Sequence, residues 1–342
     1  MLDIANNPAL ADPRRFLRKR HTHVPVLGRV LAVALAILIC IVAYVTSEVF
    51  LSPTDAYVYL AAGERLNAGH DLYAIGPGDR FIGLNPPYWT VPTLSPPLLG
   101  VLWQPLALLG VPGMLLGWAL AGVAYLVTVA AVVWRSPIVG VILTALLAPF
   151  IGWQLGLGNV NGFLVLGLLA VWLFCDRPWV VGVILALMVS VKVVPIVIAL
   201  WLLTTGRYRA IMATVVAGFL LLIVSVLFAG LDAHSDYVAV VLHTASAGNS
   251  ATSVAGLLVA GGLPNEIARF APWAILIAGT FVMWRFRARE DVTFSVAVVV
   301  MLLVAPALQP YWLAMLVVAL APLAKDPAPS THQIPSTVPV AS

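Results

Sequence analysis

The sequence predicts an all-α integral membrane protein, and three observations carry that prediction. Of 342 residues, 62% are hydrophobic and 9% charged, with a mean hydropathy of +1.02. Apolar runs of membrane length, or slightly less, recur along most of the chain. Basic residues gather beside some of these runs and avoid others, as membrane topology requires. So few polar side chains could not cover the surface of a water-soluble protein of this size. A soluble enzyme, a nucleic-acid-binding domain, a disordered chain and a secreted disulfide scaffold are excluded on that ground. Membrane lipids are expected partners, and nucleic acid is not.

Residues 1–29 form a polar, basic segment, and an apolar run from Val30 to Phe50 follows. That run is too long for the apolar core of a signal peptide and no small-residue cleavage site closes it, so it reads as an uncleaved first helix. Further runs lie near 94–110, 113–134, 137–152, 160–175, 178–203, 209–230, 270–288, 292–306 and 310–323, giving about ten transmembrane helices in one domain over 30–324. With the N-terminus in the cytoplasm, alternation puts twelve cations inside and five outside, the five being Arg65, Arg80, Arg135, Arg177 and Arg269. Residues 325–342, rich in Pro, Ser and Thr, read as a disordered cytoplasmic tail. Cys40 and Cys175 lie in or beside apolar runs and read as unpaired core residues. The two long loops, 51–91 and 231–269, fall outside and hold seven of the fourteen acids, so chemistry is expected on that face.

Ser52-Pro53-Thr54-Asp55 has the form of a helix start, with Ser52 as N-cap, Pro53 first and Asp55 third. Tyr57, Leu60 and Ala61 then share a face and Gly69 closes the helix. The expectation is an outer juxtamembrane amphipathic helix lying on the bilayer surface. From spacing alone, Asp55 reads as a capping carboxylate, its pKa lowered by the helix N-terminus.

The stretch Asp55-Ala-Tyr-Val-Tyr59, with Ala61-Ala-Gly63, Leu66, Gly69 and Asp71-Leu72-Tyr73, resembles the opening signature of glycosyltransferase family 87. These are GT-C-type membrane enzymes that take mannose, or in some members arabinofuranose, from a polyprenyl-phosphate donor. The resemblance implies a GT-C-type helical bundle in the cell membrane with its site on the extracytoplasmic face. It implies Asp55 as catalytic base, transfer with inversion to a glycolipid or cell-envelope glycan, and Tyr59 among the substrate contacts. No cofactor is implied. A phosphate leaves readily and needs stabilisation of its charge rather than an acid, and the chain has no Asp-x-Asp pair to hold a metal for a nucleotide sugar.

Further inside the apolar runs, Lys192 sits in Ser190-Val-Lys192-Val-Val-Pro195. It lies fourteen residues into a run beginning at Trp179, about 20 Å deep in a straight helix. A lysine there is expensive and marks a functional position, and Pro195 is placed to break the helix. The Lys-x-x-Pro resembles a family motif that implies contact with the donor phosphate. Gln154-Leu-Gly-Leu-Gly158-Asn159-Val-Asn161-Gly162 resembles the family's Gly-(Gln/Asn)-Val-Asn, implying substrate contacts for Asn159 and Asn161. The residues themselves leave a re-entrant hairpin and a simple cytoplasmic turn both open. Asn249-Ser250, followed by Gly256-Leu-Leu258, is similar to another family pattern and assigns Asn249 to substrate. The family's Ser-Pro followed by His-Tyr stands here as Ala305-Pro306-Ala-Leu-Gln309-Pro310-Tyr311. Gln309 and Tyr311 can still bond to substrate but carry no charge at neutral pH. A secondary transporter or lipid carrier using Lys192 and the amide segment, and an inactive partner subunit, are the competing readings.

Overall fold

The computed structural model describes residues 24–73, 93–246, 253–306 and 308–324, and all regular structure among them is helical. In chain order the helices are α1 (Val26–Val45), α2 (Thr54–Asn67), α3 (Pro97–Ala107), α4 (Val111–Arg135), α5 (Pro137–Leu157), α6 (Asn161–Leu173) and α7 (Pro178–Val191). A 3₁₀ turn at Val194–Ile196 leads to α8 (Val197–Thr204), α9 (Tyr208–Ser246), α10 (Val254–Ala260), α11 (Asn265–Ala268), α12 (Ala271–Arg285) and α13 (Glu290–Leu303). The closing helix, Pro310–Ala324, is wound as 3₁₀ over fifteen residues, well beyond the usual short turn. Among the described residues, five segments are long and apolar enough to cross a membrane: Val26–Val45, Val111–Arg135, Pro137–Leu157, Tyr208–Leu242 and Asn265–Arg285.

Small residues set the spacing of the central helices. A side chain at Gly162 would overlap the Ala121 carbonyl, and one at Gly152 the Ala43 carbonyl, so α6 crosses α4 and α5 crosses α1 at backbone contact. Around these crossings the core takes in Tyr125, Val129, Ile151, Val165 and Leu168. The Tyr125 hydroxyl donates to the Ala314 carbonyl at 2.8 Å and fixes the closing helix against α4. Trp172, Trp201 and Phe294 pack ring to ring at 5.1–6.1 Å between centroids, tying α6, α8 and α13 together.

The bundle has two ends, each defined by contacts. At one, Arg207 makes a bidentate pair with Glu290 at 2.8 and 2.9 Å, and its Nε donates to the Cys175 carbonyl at 3.2 Å. The Arg29 guanidinium lies over the Trp134 ring, 6.0 Å from its centroid, so the start of α1 meets the far end of α4. At the other end the start of α2 meets the α5–α6 turn and the start of the closing helix through Asp55.

This arrangement corrects the simple alternation expected from the sequence. Asn159 belongs to the Asp55 end, whereas alternation placed it opposite. Residues 175–177 lie with Arg207, whereas alternation separated them. The cause is twofold. The run 94–110 yields only an eleven-residue helix, α3, which packs antiparallel against α2: Gly63 abuts Trp103 and Ala107, and Asn67 Nδ2 donates to the Gln104 carbonyl. The run 178–203 is not one helix. It breaks at Lys192, whose backbone is extended (φ −154°, ψ 122°), and α8 turns back until Arg207 meets Cys175 beside the start of α7.

Helix α2 also differs from expectation. It begins at Thr54, with Pro53 before it and no side-chain cap, although Gly69 (φ 72°) ends it as expected. It is not a one-faced surface helix. Tyr59, Leu60, Ala61, Ala62 and even Arg65 are buried, because α3, α4 and the α5–α6 turn cover it on several sides. Arg65 donates to the Leu72 carbonyl at 3.1 Å. Cys40 and Cys175 are both buried, and they form no disulfide with each other.

Candidate active site

The turn between α5 and α6 is where the site starts. Gly158 takes the left-handed conformation (φ 70°) that ends α5, and the Trp118 indole caps the Leu155 carbonyl at 2.6 Å. Glycine at 158 also leaves room for Ala56 of α2. The turn then folds its amides onto one another. Gln154 Nε2 donates to the Asn159 carbonyl at 3.2 Å, Asn161 Nδ2 donates to Gln154 Oε1 at 3.1 Å, and the Asn161 N–H donates to Asn159 Oδ1 at 2.9 Å. Gln154, Asn159 and Asn161 are buried, and these bonds satisfy groups that would otherwise be costly.

Two charged groups attach to this scaffold. Asn159 Nδ2 donates to Asp55 Oδ2 at 2.6 Å, and Asn161 Oδ1 accepts from Lys192 Nζ at 2.8 Å. The Tyr311 hydroxyl reaches the same Asp55 oxygen at 3.4 Å. Among the described residues, Asp55 Oδ1 has no hydrogen-bond partner. Asp55 therefore does not cap its own helix, and its pKa is not lowered as the sequence suggested. Burial raises it, while the Asn159 bond, the Lys192 charge and the Tyr311 bond pull the other way.

Lys192 stands at the apex of the α7–α8 hairpin, which brings a charge from the middle of an apolar run to the turn. Its ammonium lies 3.9 Å from the centroid of the Trp312 ring. Among the described residues no carboxylate stands within ion-pair distance of it. The anion nearest in effect is Asp55, acting through space rather than through a bond.

Of the residues singled out in the sequence, Asp55, Asn159, Asn161, Lys192 and Tyr311 are brought together in one bonded cluster. Tyr59 lies one turn beyond Asp55, buried edge-on against Trp103 at 5.2 Å. Burial and the Asp55 charge push its phenol well above the usual value, so it stays neutral. Gln309 is exposed, and only its backbone carbonyl is engaged, by the Trp312 backbone N–H at 2.9 Å. Asn249 lies outside the described residues. Gln154 and Trp312 were not singled out as site residues. Gln154 stands inside the amide motif and was legible there, whereas an aromatic in an apolar run gives no signal that separates it from core.

Beside the cluster a groove of about 650 Å³ runs between α1 and α5. Leu35, Leu38, Ile39, Val42, Pro149 and Trp153 line its apolar part, with Glu48 at one end. The Trp153 ring meets Tyr311 edge to face at 6.3 Å, which joins the groove to the cluster.

Comparison with known proteins finds no match among curated proteins and none among solved structures. The sequence pattern of glycosyltransferase family 87 matches residues 94–310. That match covers the amide turn, Lys192 and Gln309 and begins beyond α2, so it does not reach Asp55. It spans well over half of the chain, and the chain belongs to glycosyltransferase family 87.

Proposed function

We propose that this glycosyltransferase moves mannose from polyprenyl-phosphate-mannose to a glycolipid or cell-envelope glycan, with inversion at the anomeric carbon. The observation that carries this reading is the division of charge across one amide scaffold. Among the described residues, a carboxylate with one unengaged oxygen stands at one side, and a lysine with no carboxylate at bonding distance stands at the other. Such a site suits a reaction in which one reactant loses a proton while the other departs as an anion.

Asp55 Oδ1 takes the proton of the acceptor hydroxyl as that oxygen forms its bond to C1 of the donor sugar. The bond from C1 to the phosphate oxygen breaks, and its electron pair leaves with the polyprenyl phosphate. Asn159 and Tyr311 hold Oδ2 so that Oδ1 faces the acceptor. Lys192, kept in place by Asn161, stabilises the departing phosphate. A carboxylate with a raised pKa is a stronger base than one held at a helix N-terminus, which favours this role for Asp55. The lateral groove supports a lipid-linked substrate, because its lining is largely apolar and one of its walls, Trp153, packs against Tyr311.

The orientation belongs to the same proposal. With Arg135 and Arg177 assigned to the Arg207 end, fourteen cations fall on the N-terminal side and three on the other, a sharper division than the twelve against five of simple alternation. The Arg207 end is then cytoplasmic and the Asp55 site extracytoplasmic, where nucleotide sugars are absent and a lipid-linked donor is needed. The test uses membranes from cells with and without the protein, supplied with polyprenyl-phosphate [14C]mannose and their own lipids. Label should enter a glycolipid only when the protein is present. Label that stays on the donor in both would count against mannose as the transferred sugar.

A further inference from the structure

We propose that Trp312 belongs to the donor-phosphate site: its ring face holds the Lys192 ammonium, and its indole N–H supplies a second hydrogen bond to the same phosphate. The inference rests on the reading that the chain releases a lipid phosphate, and it adds a residue to that step.

Trp312 is 8% exposed, and among the described residues its indole N–H has no hydrogen-bond partner of good geometry. It lies close enough to the Tyr311 hydroxyl to act on it, and that hydroxyl reaches Asp55 at 3.4 Å, so the indole stands beside the Asp55 cluster. The Lys192 ammonium sits over the ring at 3.9 Å and spends one N–H on Asn161 at 2.8 Å. An ammonium has three N–H donors, so capacity remains for a ligand. A buried donor and a half-buried cation therefore lie against each other, and neither has an anionic partner at bonding distance among the described residues. The indole of Trp103 is also buried without a partner, but no cation lies over its ring.

A phosphate answers both needs, since its oxygens accept from the indole N–H and from the ammonium while its charge balances the lysine. A sugar hydroxyl would accept the N–H and leave the lysine's charge unanswered. Negative charge grows on the phosphate as the C1–O bond breaks, so both bonds strengthen in the transition state.

The test uses full-length protein in lipid nanodiscs and radiolabelled undecaprenyl phosphate as the probe. Trp312→Phe keeps an aromatic face and removes the N–H. Its dissociation constant for the probe should rise about tenfold, the effect of one hydrogen bond to a charged group. Trp312→Leu removes face and N–H together and should cost about a hundredfold. The KM for the lipid acceptor should stay unchanged in Trp312→Phe. Should Trp312→Phe fold poorly, benzothienylalanine at position 312 keeps the bicyclic shape, replaces only the N–H, and should show the same tenfold loss. Wild-type affinity in the Trp312→Phe or benzothienyl protein overturns the N–H assignment, as does an acceptor KM that rises with the probe's dissociation constant. A wild-type protein that fails to bind the probe overturns the lipid-phosphate reading and this inference with it.

Discussion

Asn159 Nδ2 donates to Asp55 Oδ2 at 2.6 Å, joining two residues 104 positions apart. That bond locks the start of α2 onto the α5–α6 turn and leaves the other carboxylate oxygen open. It also stabilises the charged form of a carboxylate whose pKa burial has raised.

The pH dependence follows from that balance. Asp55 must be ionised to accept a proton, so activity should fall as pH drops through its pKa, at a pH above the usual carboxylate value near 4. Asn159→Ala removes a bond made to the charged form, raises the pKa further, and should move the acidic limb of kcat/KM to higher pH. A limb that stays in place would show that Asn159 does not hold the base.

Lys192→Gln keeps most of the length and removes the charge. We expect kcat to fall about 10²–10³-fold, because the charge acts on the phosphate as it departs. Lys192→Arg should recover part of the loss. Steady-state kinetics decide the matter, and a change confined to the acceptor KM would be the wrong outcome for a residue on the donor side.

Arg207 and Glu290 are expected to matter for stability and little for substrate affinity. Arg207 also touches Cys175, so α6, α9 and α13 meet at this one side chain. Glu290 is partly exposed, which limits the gain from the pair. Arg207→Met should cost about 1–2 kcal/mol in thermal or denaturant unfolding. A double-mutant cycle with Glu290→Met should show coupling, with both KM values unchanged. Additive losses would show that the two residues act separately.

Topology gives a direct labelling test. Ser136→Cys and Thr205→Cys should react with an impermeant maleimide from the same side of the membrane, the side opposite Ser52→Cys. Plain alternation of the apolar runs predicts instead that positions 136 and 205 label from opposite sides.

The helical class was legible in composition, and the break at Lys192 in Pro195. Lys192 was legible because a charge inside an apolar run is expensive and stands out, whereas Asp55, Asn159, Asn161 and Tyr311 were singled out through the family resemblance. The path between them was not legible. Hydropathy cannot tell a straight helix from a hairpin of two short limbs, so the run 178–203 read as one crossing, and alternation separated Asn159 from Asp55 and residues 175–177 from Arg207, which the fold brings together. Nor can it tell α3, an apolar helix packed on α2, from a membrane span. The role of Trp312 depends on which atoms lie over its ring, and no spacing in the sequence reports that. Asp55 read by spacing as a cap because Ser-Pro-Thr-Asp is a good helix start. The cap does not form because a stronger partner, Asn159, is delivered from elsewhere in the fold.

The central claim is that Asp55 is the base of a sugar transfer, and Asp55→Asn tests it most directly. The substitution nearly preserves shape and removes the basic oxygen. With polyprenyl-phosphate [14C]mannose and native lipid acceptors, the rate should fall about 10²–10⁴-fold in a variant expressed at wild-type level. Transfer by Asp55→Asn at the wild-type rate would contradict the account.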